Sequence, residues 1–381
     1  MPDANENTWR KKALGIVVAL VAYAILAGMP APEGLSPAGQ KSLALMVSAI
    51  IVWVSDALPL AMACSLFLFL QSVLGTANLS TALQRFAIPP VFFCFAMFRI
   101  VVAFQNSGLT RRIVLWTSLK SRGEPKRLLF LLMMVTALVS SILADVPVVA
   151  MMFPVALFLL QQNKCPVGES PFGKAVMLGI ALAALIGGVG TPAGSGTNIL
   201  TINMLENAAH VSVSFFQWTA IGMPMVLLLT PVAWWALIKV YPPEIQHLVG
   251  MESIGEDYAR LGPLGRKEKC FLLFLSINLL LWCSSGTHGL PLPTAAVLGC
   301  VLFALPGVGL ITWEEDRSKI GWDILFLVGT ANSLGMALWE NGTATWIANA
   351  CLGGLNTLPL IIVIALVSLF TILIHLVIPV N

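Results

Sequence analysis

A glycine-rich break, Gly187 to Asn198 (GGVGTPAGSGTN), interrupts an otherwise apolar run from Ala175 to Leu205. Backbone at bilayer depth leaves the helix only where protein or a polar cavity satisfies its amides, so the break predicts a binding loop. Gly187, Gly188, Gly190, Gly194 and Gly196 permit irregular dihedrals, and Pro192 removes a donor. Thr191, Ser195, Thr197 and Asn198 supply small oxygen ligands suited to an ion. A phosphate-cradling loop would need a Lys after its last glycine, and none follows. A plain glycine-rich helix contact is the competing reading.

Composition places that run in a membrane. The chain is 58% hydrophobic and 10% charged, with a mean hydropathy of +0.89, whereas a soluble domain carries about 25% charged residues. We therefore expect an integral membrane protein with an all-α polytopic fold. Runs of about 17 to 25 apolar residues, enough to cross a bilayer, fall near 13–29, 42–57, 59–75, 89–107, 175–208 with its break, 215–239, 270–285, 292–312 and 323–340. The first run follows a polar start and lacks a clean cleavage site, so it reads as a retained helix. The net charge of +3 carries no basic run interleaved with aromatics, which argues against nucleic acid as a partner. Seven scattered cysteines without metal-ligand spacing predict buried, reduced thiols and no metal centre. No cofactor and no constellation for nucleophilic catalysis is expected. Ser195 has no candidate base near it in sequence, so an enzyme is not predicted.

The run from 128 to 160 is too long for one crossing and is interrupted at Ala144-Asp145-Val146-Pro147, which predicts a re-entrant hairpin with its tip there. Loop charge agrees. Arg10, Lys11 and Lys12 precede the first helix, Arg111 to Arg127 follow the fourth, and Arg260 to Lys269 follow the span at 215–239. All three clusters lie inside only if 128–160 enters and returns, which puts the N-terminus in the cytoplasm. Two short patterns also recur. Ala57-Leu58-Pro59-Leu60 returns as Gly289-Leu290-Pro291-Leu292, and Ala103 to Gly108 returns as Ala337 to Gly342, at offsets of 232 and 234. Five crossings separate corresponding helices, so the second half is inverted, as in secondary transporters. The expected division is 1–41 as N-terminal helix and loop, 42–239 as first repeat, 240–269 as cytoplasmic linker and 270–381 as second repeat. In that register Asp145 maps to about 377–379. The second repeat therefore reads as incomplete, and the 381-residue chain is expected not to transport alone.

Several stretches carry a resemblance. Trp53-Val-Ser-Asp-Ala-Leu-Pro59 looks like W-x-T-E-A-I-P, and Gly187 to Asn198 looks like G-G-x-x-T-x-x-G-T-P-P-N. Phe216-Gln-Trp218, Gly222-Met-Pro224 and Trp322-Asp323-Ile-Leu325 are similar to further stretches of the same family. On these residues the chain resembles the divalent anion/sodium symporter family of the ion transporter superfamily. The resemblance implies an elevator-type homodimer in the bacterial inner membrane that moves dicarboxylates, tricarboxylates or sulfate, usually with sodium. It also implies hairpin tips of the form Ser-Asn-Thr that contact cation and anion. Here the first tip reads Ala144-Asp145-Val146 and the second Ile378-Pro379-Val380. Contacts to substrate and cation are accordingly expected from Asp145, with Ser140 beside it, and from Gly188, Thr191, Gly194, Ser195, Thr197 and Asn198. A sodium ion is expected at Asp145, Ser195 and Asn198, with a proton as the alternative coupling ion.

Asp145 and Arg99 are the exceptional charges, each deep in an apolar run. Arg99 either attracts the anion or neutralises Asp145, and an ion pair is the favoured reading because one buried pair costs less than two separate charges. Asp56, Asp323 and Glu340 read as solvated helix ends, and His375 as a satisfied core or interface residue. Three functions compete: a symporter of small divalent anions, an anion exchanger or exporter using the same loops, and a truncated remnant that only dimerises among membrane lipids.

Overall fold

The computed structural model describes residues 4–166, 168–352 and 359–377, whose regular structure is helical, with no strand among the described residues. The first helices are α1 (Ala4–Gly28), α2 (Pro37–Val54), α3 (Leu60–Val73), α4 (Leu79–Phe86), α5 (Pro89–Ser107) and α6 (Leu109–Lys120). Next come α7 (Pro125–Ser140), α8 (Asp145–Gln162), α9 (Pro171–Gly188), α10 (Gly196–Ala209), α11 (Phe215–Val240) and α12 (Met251–Leu261). The remainder are α13 (Arg266–Cys283), α14 (Ser285–His288), α15 (Leu292–Phe303), α16 (Trp313–Asp316), α17 (Trp322–Glu340), α18 (Thr343–Leu352) and α19 (Leu360–Val377).

Proline opens α2, α5, α7 and α9, where its missing N–H costs nothing and its fixed φ favours the first turn. Ser36 and Ser170 cap α2 and α9 by accepting from Gly39 N and Gly173 N, and Ser214 and Gln217 form a reciprocal capping box on α11. Six of the described helices are long and apolar enough to cross a membrane: α1, α2, α5, α8, α9 and α11. The expected span at 292–312 is shorter than predicted. Helix α15 stops at Phe303, because Pro306 and the positive-φ glycines Gly307 and Gly309 break the register. The run from 128 to 160 folds as two helices, α7 and α8, joined by a turn at 141–144, and α9 and α10 are separated by the predicted break. The second hairpin tip at Ile378 to Asn381 and the side chain of His375 lie outside the described residues.

Contacts divide the chain into two compact units, 1–91 with 322–381, and 92–321. In the first, α1, α2, α3 and α17 enclose a core of Ala19, Leu45, Ala49, Val52, Phe67 and Leu334. Two of the buried polar groups there pair with each other and the backbone: Gln71 donates to Ser333 Oγ at 3.0 Å, and Ser333 donates to the Ala82 carbonyl at 3.0 Å. The helix-end acids are partnered within this unit. Asp323 Oδ1 accepts from Ala61 N at 3.1 Å, Glu340 pairs with Arg85, and Asp56 pairs with Lys12 at 3.3 Å.

The second unit is built on α7, α9 and α11. Small residues let α7 and α9 meet backbone to backbone: a Cβ on Gly187 would lie 2.2 Å from the Ala137 carbonyl oxygen, which only glycine avoids. The segment after α11 is strapped to this unit by hydrogen bonds. Glu244 accepts from Ser170 Oγ and from Phe172 N, Leu248 N donates to Gly123 O at 2.9 Å, and Val249 N donates to Asn163 Oδ1 at 2.7 Å. Burial pushes the Glu244 carboxyl up, but these hydrogen bonds outweigh it and hold it below the ordinary value. Arg112 closes the strap, bonding Glu268 through Nε at 2.7 Å and Nη2 at 3.0 Å while Nη1 donates to the Gly262 carbonyl at 2.9 Å.

Candidate functional site

Helix α9 ends because Gly188 is followed by Val189 and Gly190, and Pro192 then fits only a 3-10 turn, Pro192–Gly194, before α10 restarts at Gly196. The hairpin turn after α7 lies against this break. Ser140 Oγ donates to the Ala184 carbonyl at 2.7 Å, Ser141 Oγ to the Gly187 carbonyl at 3.0 Å, and Thr191 Oγ1 to the Ser141 carbonyl. Asn198, 7% exposed, spans the break from the far side, donating to Gly188 O at 2.7 Å and Thr191 O at 2.9 Å. These bonds satisfy the carbonyls that the interrupted helix leaves behind. Of the expected contact residues, then, Ser140 and Thr191 spend their hydroxyl protons on the scaffold, and Asn198 keeps only its side-chain oxygen.

Thr197 is exposed, and Asp145 and Ser195 are half-buried. Asp145 opens α8, with Oδ1 accepting from Val146 N at 2.8 Å. A Cβ on Gly188 would approach Asp145 Oδ2 to 3.1 Å, and one on Gly194 would meet the Gly188 carbonyl oxygen at 2.5 Å, so both glycines clear room for the carboxylate and the turn. Ser195 and Thr197 share a hydroxyl hydrogen bond at 3.0 Å. Neither α8 nor α10 has a side-chain cap from its N-cap residue, so the first-turn amides of both helices keep their partial positive charge, and one of them, Val146 N, bonds the Asp145 carboxylate. Sequence reasoning missed Cys94. Its Sγ lies where a Cβ on Gly196 would come within 2.4 Å, which sets it against the first turn of α10. Nothing local in the sequence signals that contact.

The expected ion pair between Arg99 and Asp145 is not formed. Arg99 Nη2 donates to the Thr312 carbonyl at 3.4 Å, and its guanidinium sits 5.8 Å from the Trp313 ring centroid. Thr312 is fixed in turn by Asp316, which accepts from Thr312 N at 2.9 Å and Lys319 Nζ at 2.8 Å. Burial raises the Asp316 carboxyl, but the bonds from Lys319, Thr312 and Asn106 prevail and hold it below the usual range. The physical reason for the correction is that a carbonyl and an aromatic face stabilise a guanidinium without a second buried charge, and the segment supplying them lies some 200 residues further along the chain.

A hairpin turn docked on a broken apolar helix, with oxygen groups and two helix N-termini meeting at the junction, is suited to holding an ion pair and offers no nucleophile–base arrangement. The sequence profile described as "Sodium:sulfate symporter transmembrane region" matches residues 10–379. A protein described as "Membrane protein" from Cupriavidus necator is 27% identical over 95% of this chain and 74% of its own length. The sodium-dependent dicarboxylate transporter SdcS of Staphylococcus saprophyticus is 24% identical, over 94% and 74%. The putative malate transporter YflS of Bacillus subtilis is 26% identical, over 91% and 74%. The all-α architecture, the apolar spans and the match across nearly the whole sequence make the chain a membrane transporter of the sodium:sulfate symporter family.

Proposed function

We propose that this chain carries the cation and anion sites of a sodium-coupled symporter for small dicarboxylates, with the junction of the α7–α8 turn and the α9–α10 break as the binding site. The observation that carries this reading is the position of the Asp145 carboxylate at the start of α8, against the clearance that Gly188 and Gly194 leave in the α9–α10 break. Asp145, the Ser195 hydroxyl and the Asn198 side-chain oxygen provide oxygen ligands for a hard monovalent cation. The α10 N-terminus, with Gly196 and Thr197 amides and the Thr197 hydroxyl, receives the anion.

The carboxylate itself supplies the coupling. Two like unit charges about 4 Å apart repel by about 4 kcal/mol at an effective dielectric near 20, so a dianion entering beside ionised Asp145 is opposed until a cation neutralises that carboxylate. Anion affinity therefore rises with sodium. Dicarboxylates are favoured over sulfate because SdcS and YflS, similar along most of the chain, are named for dicarboxylate and malate transport. The two inverted halves, 42–239 and 270–381, and a homodimer belong to the same reading. Its test is binding of radiolabelled succinate and sulfate to the purified chain with sodium or choline, followed by uptake into proteoliposomes under an inward sodium gradient. Succinate binding that needs sodium is expected. Binding that is indifferent to sodium overturns the reading.

A further inference from the structure

Where α5, α13 and the segment leading into α16 meet, the second unit has a polar cavity of about 240 Å³ that shares no residue with the proposed transport site. Asn106, near the end of α5, donates to the Leu310 carbonyl at 2.9 Å, and Arg266, at the start of α13, donates to the Gly307 carbonyl at 3.1 Å. Both helices therefore hold the segment in place. Leu310 and Ile311 bury their side chains in the core, which leaves their backbone to line the cavity. Charged groups supply the rest: Lys267 of α13, Glu315 and Asp316 of α16, and Lys319 just beyond it.

These charges are not equivalent. Asp316 is 1% exposed and its oxygens are filled: Lys319 Nζ donates to Oδ1 at 2.8 Å, Thr312 N donates to Oδ2 at 2.9 Å, and Asn106 Nδ2 reaches them at 3.4 and 3.3 Å. A metal ion would have to displace those donors, so the cavity is poorly made for one. Lys267 and Glu315, by contrast, are exposed and line the same cavity, yet they pair neither with each other nor with any other described residue. Lys319, with a single bond to Asp316, keeps further donors.

Charge and size together select the occupant. A simple anion would be drawn to Lys267 and Lys319 and repelled by Glu315, and a simple amine would meet the reverse, so neither gains much. A molecule that carries both a carboxylate and an ammonium group matches all three side chains. The cavity exceeds the roughly 150 Å³ void that takes a benzene ring, which admits a molecule of that order or slightly larger, and its lining of polar atoms suits a polar remainder.

We propose that this cavity binds a small polar α-amino acid, with the carboxylate at Lys267 and Lys319 and the ammonium group at Glu315. The test is calorimetric titration of the purified full chain in sodium-free choline buffer, where the result does not depend on the transport reading. The probes are serine, 3-hydroxypropanoate, which lacks only the ammonium group, and ethanolamine, which lacks only the carboxylate. One serine per chain is expected, bound about tenfold more tightly than either analogue. Lys267→Gln and Glu315→Gln remove exposed, unpaired charges and should leave the unfolding midpoint unchanged while each weakens serine about tenfold. Glu315→Gln should also erase the preference over 3-hydroxypropanoate, and Lys267→Gln the preference over ethanolamine, which a loss of shape alone would not do. Three results overturn the proposal: no serine binding up to about 10 mM, an analogue that binds as well as serine, or serine binding that both variants leave unchanged.

Discussion

Asp145 Oδ2 lies 3.1 Å from the point where a side chain on Gly188 would begin, so the carboxylate and the last turn of α9 define one clearance. Gly188→Ala is expected to push the carboxylate aside by a few tenths of an ångström while costing under about 1.5 kcal/mol of stability. Sodium-dependent succinate binding should weaken roughly tenfold with the thermal midpoint little changed. Gly194→Ala, aimed at a backbone carbonyl that cannot yield, should instead destabilise the protein by about 1–3 kcal/mol.

Replacing Asp145 by Asn keeps the shape and removes the charge. The proposed coupling requires succinate binding to become nearly independent of sodium, with affinity without sodium at or above that of the unmodified chain. A steeper sodium dependence in Asp145→Asn would mean that the carboxylate is not the cation ligand. The measurement is a succinate isotherm at several sodium concentrations with choline as balance.

Arg99 and Asp145 are held by different partners, so the losses from Arg99→Leu and Asp145→Asn should add within about 0.5 kcal/mol in a double-mutant cycle read by chemical unfolding. A coupling energy well above that would restore the ion pair that the apolar sequence around both residues suggests.

The same logic gives a strongly coupled pair elsewhere. A Cβ on Gly299 of α15 would sit 1.8 Å from Nδ2 of Asn278 on α13, and Asn278 is fully buried. Gly299→Ala should cost about 1–3 kcal/mol, and Asn278→Ala in the same chain should recover most of it by vacating the space. Thermal unfolding of the two single variants and the double variant decides this.

Acid should loosen the second unit through Glu268. The hydrogen bond from Arg112 pulls its carboxyl down, burial opposes that, and the Gly265 amide adds to it, leaving the folded value below the ordinary one. A depressed folded value means that the pair contributes fully above the unfolded carboxylate value of about 4.3 and is lost as pH falls through the lower folded value. Unfolding midpoints in detergent should drop over that acid range, and Glu268→Gln should start roughly 3 kcal/mol less stable and show a shallower acid limb.

Much of this was legible in the residues. The break at Gly187 to Asn198 is spelled by glycine and proline, whose backbone chemistry is local, and the structure interrupts the helix there; the interruption expected at Ala144-Asp145-Val146-Pro147 falls earlier, at 141–144, with Asp145, Val146 and Pro147 inside the first turn of α8. The partners of Arg99 were not legible, because burial in a span says that a cation needs compensation without saying whether a carboxylate or a carbonyl and an aromatic ring provide it. Thr191 and Asn198 show the same limit. Their oxygens mark a polar site, but only the fold shows their donors bonded to Ser141, Gly188 and one another.

The bonds around the break have a mechanical meaning. Thr191 and Ser141 tie it to α7, Trp218 Nε1 donates to the Val189 carbonyl at 2.9 Å from α11, and Gly222 lets that helix press within 2.5 Å, measured from a notional Cβ, of the same oxygen. A loop held from two sides is poorly suited to flap open as a gate. On the proposed reading, the loop travels together with α7, α9 and α11 as a single piece.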